Sequence, residues 1–469
     1  MLRGAAVSGA GLAGAALIGC GDDEEATQPA AATAAAATAA PTTAAAATSV
    51  PTPASGIQMG GAFTRERSGD PPSLDPYGNH SYLTKYVAVH AYSRLYQKIA
   101  EPGVPGAATM PGPDLAESSE SPDGIEFVVK LKPGAKFQDV APVSGREVTT
   151  EDVLFSWGRL TGPDSTNAPL VAHITGLEAI DDTTLKFSHD SVNAVFLDNL
   201  ADANLLWVMP TESDGGFNPE IDMIGSGPWI NTEFTPDVTM RWGRNPDWHL
   251  GPERPYMDEL IEPVIPEYAN RLAQFQAGNL DQVGIQSDDV LGLKGDASYS
   301  HWQWIAGDPG STLNMMHYDH LYALQGEPQT DQPWKDERVR QATSMALDRA
   351  GKLDFEYNVN ALKAAGLSPS EGWHNHIPVG QARWWLDPRS ADQGESAKFF
   401  EYNVAESKKL MAAAGFEDGF DVPFIYNTNR YGSRFGDVQE VNIAFLEAVG
   451  IRPQVQIQDY SAEYTPMTR

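Results

Sequence analysis

The spacing of apolar and polar residues divides the chain into helices and strands that alternate toward the C-terminus. Apolar residues recur at helical intervals over 84–98 and on one face of 336–348, whereas 125–131 largely alternates after a hairpin signal, Asp123-Gly124. The two helical faces consist of Tyr86, Val89, Tyr92, Leu95 and Tyr96, and of Val339, Ala342, Thr343 and Ala346. Further strands are predicted at 62–65, 184–187, 422–426 and 452–458, and further helices at 151–160, 267–278, 404–414 and 434–448. This alternation favours an α/β fold.

The first 56 residues show no pattern that would form a core. An apolar run at 4–18 follows Arg3 and is typical of a signal peptide, too short for a settled transmembrane helix. Leu17-Ile18-Gly19-Cys20 looks like a bacterial lipobox, which predicts a lipoprotein signal peptide at 1–20 and lipidation of Cys20; an ordinary secretory signal is the alternative. Residues 21–56, rich in Ala, Thr and Pro, are predicted to be a disordered tether.

Length and charge narrow the possible functions. At 469 residues the chain is too long for one hydrophobic core, so two or more domains are expected. The net charge of −31 argues against nucleic acid and against a polybasic membrane patch. The single cysteine excludes an intrachain disulfide.

No catalytic constellation stands out in the sequence. A Gly-x-Ser-x-Gly elbow and a Walker-type phosphate loop are both missing, and the numerous carboxylates do not single out a glycosidase pair. His317 with His320, and His374 with His376, have spacings that can bind a metal, but neither pair has a convincing third ligand nearby. We therefore predict no catalytic residue, no metal site and no cofactor.

Six motifs follow one another in a fixed order along the chain. They are Gly-Asp-Pro-Pro-Ser-Leu-Asp-Pro (69–76), Pro-Asp-Leu-Ala-Glu-Ser (113–118), Lys-Leu-Lys-Pro-Gly-Ala-Lys-Phe-Gln-Asp (130–139), Thr-Glu-Asp-Val-Leu-Phe-Ser-Trp (150–157), Ile-Gly-Ser-Gly-Pro-Trp (224–229) and Asp-Glu-Arg-Val-Arg-Gln-Ala-Thr-Ser-Met-Ala-Leu-Asp-Arg (336–349). Together they resemble the family-five extracellular solute-binding proteins of ABC importers, which include dipeptide, oligopeptide and nickel binders. The resemblance runs from about Gly60 to the end of the chain.

The resemblance implies a two-lobed, periplasmic-binding-protein-like fold with a mixed-sheet lobe on each side of a cleft. It places the first lobe at 57–312, with an inserted subdomain at about 80–220, and the second lobe at 313–469. It implies a monomeric, lipid-anchored, extracytoplasmic protein that captures a peptide or similar solute and delivers it to an ABC permease and ATPase complex. Family members continue beyond the point that corresponds to Arg469, so the second lobe is expected to be incomplete and its C-terminal part missing.

The same resemblance suggests where ligand contacts lie. Asn79, His80 and Ser81 correspond to a cleft-facing loop, and Tyr460 falls where the family often has an aromatic residue in the peptide site. Tyr426 and Asn427 are weaker candidates, and each of these positions could equally belong to the rim or the core. Gly310, Ser311 and Thr312 suit a hinge or backbone contacts, with a plain loop as the alternative, and the motif at 224–229 is expected to be structural.

Two other functions stay open from the sequence. One is a surface hydrolase with an unrecognised carboxylate pair, and the other is a receptor that presents its ligand to a sensor. Turnover of glycosides or peptides would identify a hydrolase. The absence of permease and ATPase genes nearby would identify a receptor rather than an importer component.

Overall fold

The computed structural model describes residues 59–79, 81–98, 110–251, 253–302, 333–367, 369, 371–373, 375, 377, 385–431 and 433–464. The α-helices are α1 Tyr82–Ala91, α2 Thr150–Thr161, α3 Phe196–Leu200, α4 Tyr268–Gln276, α5 Ser287–Gly295, α6 Glu337–Ala346, α7 Arg349–Tyr357, α8 Val359–Ala364, α9 Val404–Ala413 and α10 Ser433–Glu447. The strands are β1 Ala62–Thr64, β2 Tyr96–Lys98, β3 Pro111–Pro113, β4 Ala116–Glu120, β5 Glu126–Leu131, β6 Ile174–Asp181, β7 Thr184–His189, β8 Trp229–Thr235, β9 Thr239–Arg244, β10 Glu259–Pro263, β11 Phe420–Tyr426 and β12 Ile451–Ile457. Within these ranges no helix is long and apolar enough to span a bilayer.

A mixed four-stranded sheet, ordered β1-β10-β9-β8, forms one side of the larger core. β1 pairs with β10 in parallel, and β10, β9 and β8 pair antiparallel. Because successive side chains of a strand point to opposite faces, Leu260 and Glu262 of β10 share the buried face with Met240 and Trp242 of β9. The sheet thus buries the carboxylate of Glu262, which pairs with Arg65 and Arg67.

The second four-stranded sheet is antiparallel and ordered β4-β5-β7-β6. The hairpin predicted at Asp123-Gly124 is confirmed, since Gly124 has a φ of +73° and the Asp123 carboxylate accepts hydrogen bonds from the amides of Ile125 and Glu126 at 2.9 and 3.0 Å. Helix α2 packs against β6 and begins at a capping box, in which the Asp152 carboxylate accepts a hydrogen bond from the Thr149 amide at 3.0 Å.

A smaller core lies in the C-terminal part of the chain. It consists of Trp334, Val339, Ala342, Ala346, Met411, Leu446, Val449 and Ile451. The predicted face of α6 is confirmed, because Val339, Ala342, Thr343 and Ala346 are all buried. Strands β11 and β12 pair in parallel and are joined through α10, so that this part contains a β-α-β unit. The larger core, by contrast, spans residues from Leu74 to Leu260.

The helix predicted over 84–98 is correct only as far as Ala91, so its second half is a wrong prediction. Tyr92 is already extended, and Tyr96 belongs to strand β2. In a continuing helix the Ala91 carbonyl would accept from the amide four residues later, but here it accepts from the Gly227 amide at 2.8 Å. A tertiary hydrogen bond from the motif at 224–229 therefore replaces the next helical turn.

That motif needs glycine because its backbone lies against the end of α1. A Cβ atom on Gly225 would come within 2.1 Å of the Ala91 carbonyl oxygen, and one on Gly227 within 2.5 Å of the His90 carbonyl oxygen. Distances this short exclude any side chain at these two positions without movement of the backbone. The geometry accounts for the structural role expected of the motif.

Candidate functional site

Polar and aromatic residues gather where the parallel strands β11 and β12 end. Tyr426 and Ile457 lie opposite each other at the carboxyl ends of the two strands. Asn429, in the loop after β11, donates from its amide nitrogen to Asp459 at 2.7 Å and accepts from the Tyr460 amide at 3.1 Å. The carboxyl edge of parallel strands is where α/β proteins commonly bind ligands, so this edge is a candidate site.

Two side chains from this edge reach the N-terminal part of the chain. The Tyr460 hydroxyl donates to Ser81 Oγ at 3.2 Å, across 379 positions of sequence. The Arg430 guanidinium donates to Ser68 Oγ at 3.3 Å. Two residues predicted to face a ligand, Ser81 and Tyr460, thus lie in direct contact.

Tyr460 is part of an aromatic group at this edge. Its ring centre lies 6.0 Å from that of Tyr431 and 6.1 Å from that of Tyr464. The Tyr431 side chain is half exposed. Sequence reasoning missed Tyr431, Asn429 and Arg430, although their position directly after a predicted strand, in a fold with parallel strands, was a signal that could have identified them.

Asn79 and Ser81 shape the loop that precedes α1. The Asn79 side chain accepts from the Ser81 amide at 2.8 Å and donates to the Asp75 carbonyl at 3.3 Å. Ser81 is the N-cap of α1, and its hydroxyl accepts from the Leu83 amide at 3.3 Å. Both residues are buried, so Asn79 organises the loop while Ser81 joins it to Tyr460.

The Leu-Asp-Pro segment below this loop is fixed by an ion pair and by buried polar contacts. The Asp75 carboxylate lies 2.5 Å from the Arg159 guanidinium and accepts from the Tyr77 amide at 3.0 Å. The Tyr77 hydroxyl donates to the Trp207 carbonyl, and burial raises the pKa of Tyr77. Lys85 donates to the Pro76 carbonyl, and burial lowers the pKa of Lys85 to about 8. These contacts anchor the segment that precedes Ser81 to α2 and to Trp207.

Tyr426 and Asn427 differ in what they offer a ligand. Tyr426 is buried and its hydroxyl lies 3.4 Å from the Glu440 carboxylate on α10; burial, followed by the nearby charge of Glu440, raises the pKa of Tyr426. Asn427 is 1% exposed, and its Oδ1 has no hydrogen-bond partner among the described residues. A buried carbonyl oxygen without a donor is costly, which makes Asn427 a better candidate for a ligand contact than Tyr426.

A concavity of about 290 Å³ lies along α1, beginning at the residue after Ser81. It is lined by Tyr82, Lys85, Tyr86, Val89, Arg94, Ala203 and Trp207. The sequence pattern predicted that Tyr86 and Val89 share one apolar face with Tyr92 and Leu95, yet their side chains are 48% and 42% exposed while Tyr92 and Leu95 are buried. We refer to this concavity as the α1 groove.

Several predicted residues lie outside the described part of the chain. These are Cys20, His80, Gly310, Ser311 and Thr312, together with His317, His320, His374 and His376. Among the described residues, no group of three or more His, Cys, Asp or Glu side chains has an arrangement that could hold a metal ion.

Comparison with known families gives a match that contains five of the six motifs, all except the one at 69–76. The family described as "Bacterial extracellular solute-binding proteins, family 5 Middle" matches residues 110–469. The chain belongs to this family, and the resemblance drawn from the motifs is confirmed.

Relatives of this chain include two proteins named for the peptides that they bind. The oligopeptide-binding protein AppA of Bacillus subtilis is 25% identical over 371 residues, which cover 74% of this chain and 61% of AppA. A dipeptide-binding protein of Pseudomonas aeruginosa is 25% identical over 402 residues, which cover 79% of this chain and 68% of that protein. The chain thus spans roughly three fifths to two thirds of the length of these relatives.

Solved structures show the same fold. AgaA of A. tumefaciens R10, in complex with agropinic acid, superimposes with a TM-score of 0.65 at 20% identity, over 87% of this chain and 75% of AgaA. DppA of Helicobacter pylori, in complex with the peptide STSA, gives a TM-score of 0.63 at 21% identity, over 87% of this chain and 75% of DppA. The fold is therefore the α/β fold of two-lobed periplasmic binding proteins.

Proposed function

We propose that this protein is the extracytoplasmic substrate-binding component of an ABC importer, which captures a peptide or a similar small solute and delivers it to a membrane permease and its ATPase. In this proposal the protein acts as a monomer, held at the membrane by a lipid on Cys20 and by the tether at 21–56. Support comes from membership of the family and from relatives described as oligopeptide-binding and dipeptide-binding proteins.

The proposed lobes are 57–312, with a subdomain inserted at about 80–220, and 313–469. Contacts between them occur at α5 of the first lobe, where Ser287 Oγ donates to the Glu356 carbonyl at 2.9 Å. The Arg434 guanidinium also lies 3.9 Å from the Asp288 carboxylate. Such polar contacts can break and reform at low cost, as lobes that open and close around a ligand require.

The observation that carries the proposal is the hydrogen bond between Tyr460 and Ser81. It brings together the loop before α1 and the carboxyl edge of β11 and β12, the two segments that the resemblance assigns to the ligand. A peptide entering here would find hydroxyl groups at Ser81 and Tyr460 and a carbonyl oxygen at Asn427. Donors and acceptors of this kind are what a peptide backbone needs from a cleft.

A thermal-shift series with di- and tripeptides tests the proposal. Ligand that binds only the native state raises the melting midpoint in a concentration-dependent way. Tyr460→Phe removes one hydroxyl from the site and should weaken peptide binding about threefold to tenfold, since one hydrogen bond contributes roughly 0.5–1.5 kcal/mol. Tyr402→Phe is the matched control, because Tyr402 is an exposed tyrosine that contacts Phe445 through its ring.

The thermal-shift series has three distinguishable outcomes. Saturable shifts with small peptides that Tyr460→Phe weakens and Tyr402→Phe leaves intact would support the proposal. Equal effects of the two substitutions would show that Tyr460 is not part of the binding site. Cleavage of the peptides during the assay would indicate an enzymatic function instead.

A further inference from the structure

The α1 groove has an apolar wall that faces solvent. Tyr82, Tyr86 and Val89 follow one another at intervals of four and three residues, so they lie on one face of α1. Their side chains are 69%, 48% and 42% exposed, whereas Trp207 in the same groove is 1% exposed. Contiguous apolar surface that is exposed in this way is a feature of ligand-binding grooves.

Two cationic side chains line the groove, and the charged group of each donates a hydrogen bond to a backbone carbonyl. Lys85 donates to the Pro76 carbonyl, and Arg94 donates to the Ala201 carbonyl at 2.7 Å. The Arg94 guanidinium also lies over the Trp207 ring, 4.7 Å from its centre. Both side chains are buried, so they present their aliphatic stems to the groove.

Burial lowers the pKa of both cations, while the carboxylates of Asp75 and Asp202 near Lys85, and of Asp114 and Asp202 near Arg94, act against this change. A ligand group in the groove therefore meets mainly aromatic rings and methylene stems. Such a lining favours an uncharged apolar group over a carboxylate or an ammonium group.

The size of the groove restricts what can fill it. Its volume of about 290 Å³ lies at the lower end of small-molecule sites, which range from roughly 300 to 1,000 Å³. One aromatic or large aliphatic side chain is the matching occupant, and a whole tripeptide is too large. Ring-on-ring contacts with Tyr82 and Tyr86 would add to the energy gained by removing apolar surface from water.

The groove and the candidate ligand site meet at adjacent residues of the chain, Tyr82 and Ser81. Tyr82 directly follows Ser81, whose hydroxyl contacts Tyr460. The Tyr82 hydroxyl accepts from Nδ2 of the Asn204 side chain at 3.3 Å, in the same segment that brings Ala203 and Trp207 to the groove. A ligand bound beside the Ser81–Tyr460 hydrogen bond can therefore place one side chain along α1.

We infer that the α1 groove is a specificity subsite that receives one aromatic or large aliphatic side chain of the bound ligand. This inference rests on the proposed function and adds to it the class of ligand, a peptide or similar solute with at least one bulky apolar group.

Calorimetric titration with tripeptides provides the test. The probes are Ala-Ala-Ala and the three tripeptides in which one Ala is replaced by Phe, with Lys and Glu replacements for comparison. In the unmodified protein, Phe at one of the three positions should tighten binding about tenfold or more relative to Ala, because the groove removes the large apolar side chain from water. Lys and Glu at that position should give no such gain.

A double variant, Tyr82→Ser with Val89→Ser, links the preference to the groove. The preference for Phe over Ala should fall to within about twofold, while the affinity for Ala-Ala-Ala stays within about twofold of the unmodified protein. Val238→Ser is the matched control, because Val238 is an exposed valine in the turn between β8 and β9. Circular dichroism melts of all variants establish that they fold.

The titrations distinguish an error in the subsite from an error in the proposed function. Loss of the Phe preference only in the double variant supports the inference. If Ala-Ala-Ala binds but the unmodified protein shows no Phe preference, or if the double variant keeps it, the subsite is wrong while the proposed function stands. If none of the tripeptides binds, the subsite and the proposed function are both wrong.

Discussion

The larger and the smaller core differ in size, because the larger core extends from Leu74 to Leu260 whereas the smaller one consists of eight buried residues among those that the structure describes. Trp207 and Trp242 of the larger core are 1% and 0% exposed, and two four-stranded sheets contribute to this core. β12 begins in the smaller core at Ile451, pairs with one strand among the described residues, and leaves Val455 43% and Ile457 60% exposed. Ser81 therefore lies next to the larger, well-packed core, whereas Tyr460 follows a strand whose end is partly exposed to solvent. Segments that bind and release ligands tend to come from the less stable parts of a protein, so we expect Tyr460 to be the moving half of the site.

The largest effect is expected from Glu262, which lies inside the larger core. Its side chain is 0% exposed, is paired with Arg65 at 2.7 Å and Arg67 at 3.4 Å, and accepts from the Trp242 indole at 3.0 Å. Glu262→Gln removes the negative charge and leaves the buried Arg67 uncompensated, which should cost about 3–5 kcal/mol of unfolding free energy.

Urea unfolding measures this change, with Glu259→Gln as the control. Glu259 is on the same strand, 37% exposed, and pairs with Arg241 at 2.8 Å, so its loss should cost less than about 1 kcal/mol. Similar losses for the two variants would mean that Glu262 is not buried in a paired state in solution.

His90 should make the larger core sensitive to acid. Burial lowers the pKa of His90 from 6.5 to about 4, with Glu262 acting against this change and Arg65 and Arg67 reinforcing it. The unfolded chain therefore binds a proton on this residue between these two values while the folded protein does not, so stability falls as the pH drops from 6.5 toward 4. The loss amounts to about 3 kcal/mol, because the free energy of unfolding changes by roughly 1.4 kcal/mol for each pH unit between the two pKa values.

Melting curves between pH 7 and pH 4 check this expectation. His90→Asn should flatten the dependence on pH, whereas His301→Asn, at an exposed position, should leave it unchanged. An undiminished slope in His90→Asn would assign the acid sensitivity to other groups.

The smallest effect is expected on the exposed end of β12. Ile457→Thr should change the unfolding free energy by less than about 0.5 kcal/mol, because the side chain it replaces lies largely in water. Ile451→Thr, at the buried start of the same strand, should cost about 2 kcal/mol or more. Equal costs would show that something covers the end of β12 in solution, and the contrast between the two cores would weaken.

Local patterns predicted the elements better than they predicted the site. The buried face of α6 follows from spacing alone, since Val339, Ala342 and Ala346 recur at helical intervals. The end of α1 depends on a hydrogen bond from Gly227, which lies more than a hundred residues away and leaves no local signal. Spacing also assigned Tyr86 and Val89 to the apolar face of that helix, and this is why it could not reveal the α1 groove.

The candidate site needed more than local pattern. Ser81 and Tyr460 are 379 positions apart, and only the resemblance to a family indicated both of them. Asn429 and Arg430 could have been predicted from their position directly after a strand that belongs to a parallel pair. Their contacts with Asp459 and Ser68 depend on tertiary geometry that no spacing rule supplies.

Native mass spectrometry of the purified protein with an equimolar mixture of tripeptides tests the central claim most directly. The account predicts one intact peptide bound per protein, selected from the mixture by a bulky apolar side chain and released unchanged on denaturation. A protein that stays free of peptide across the mixture, or that returns cleaved peptides, would contradict it.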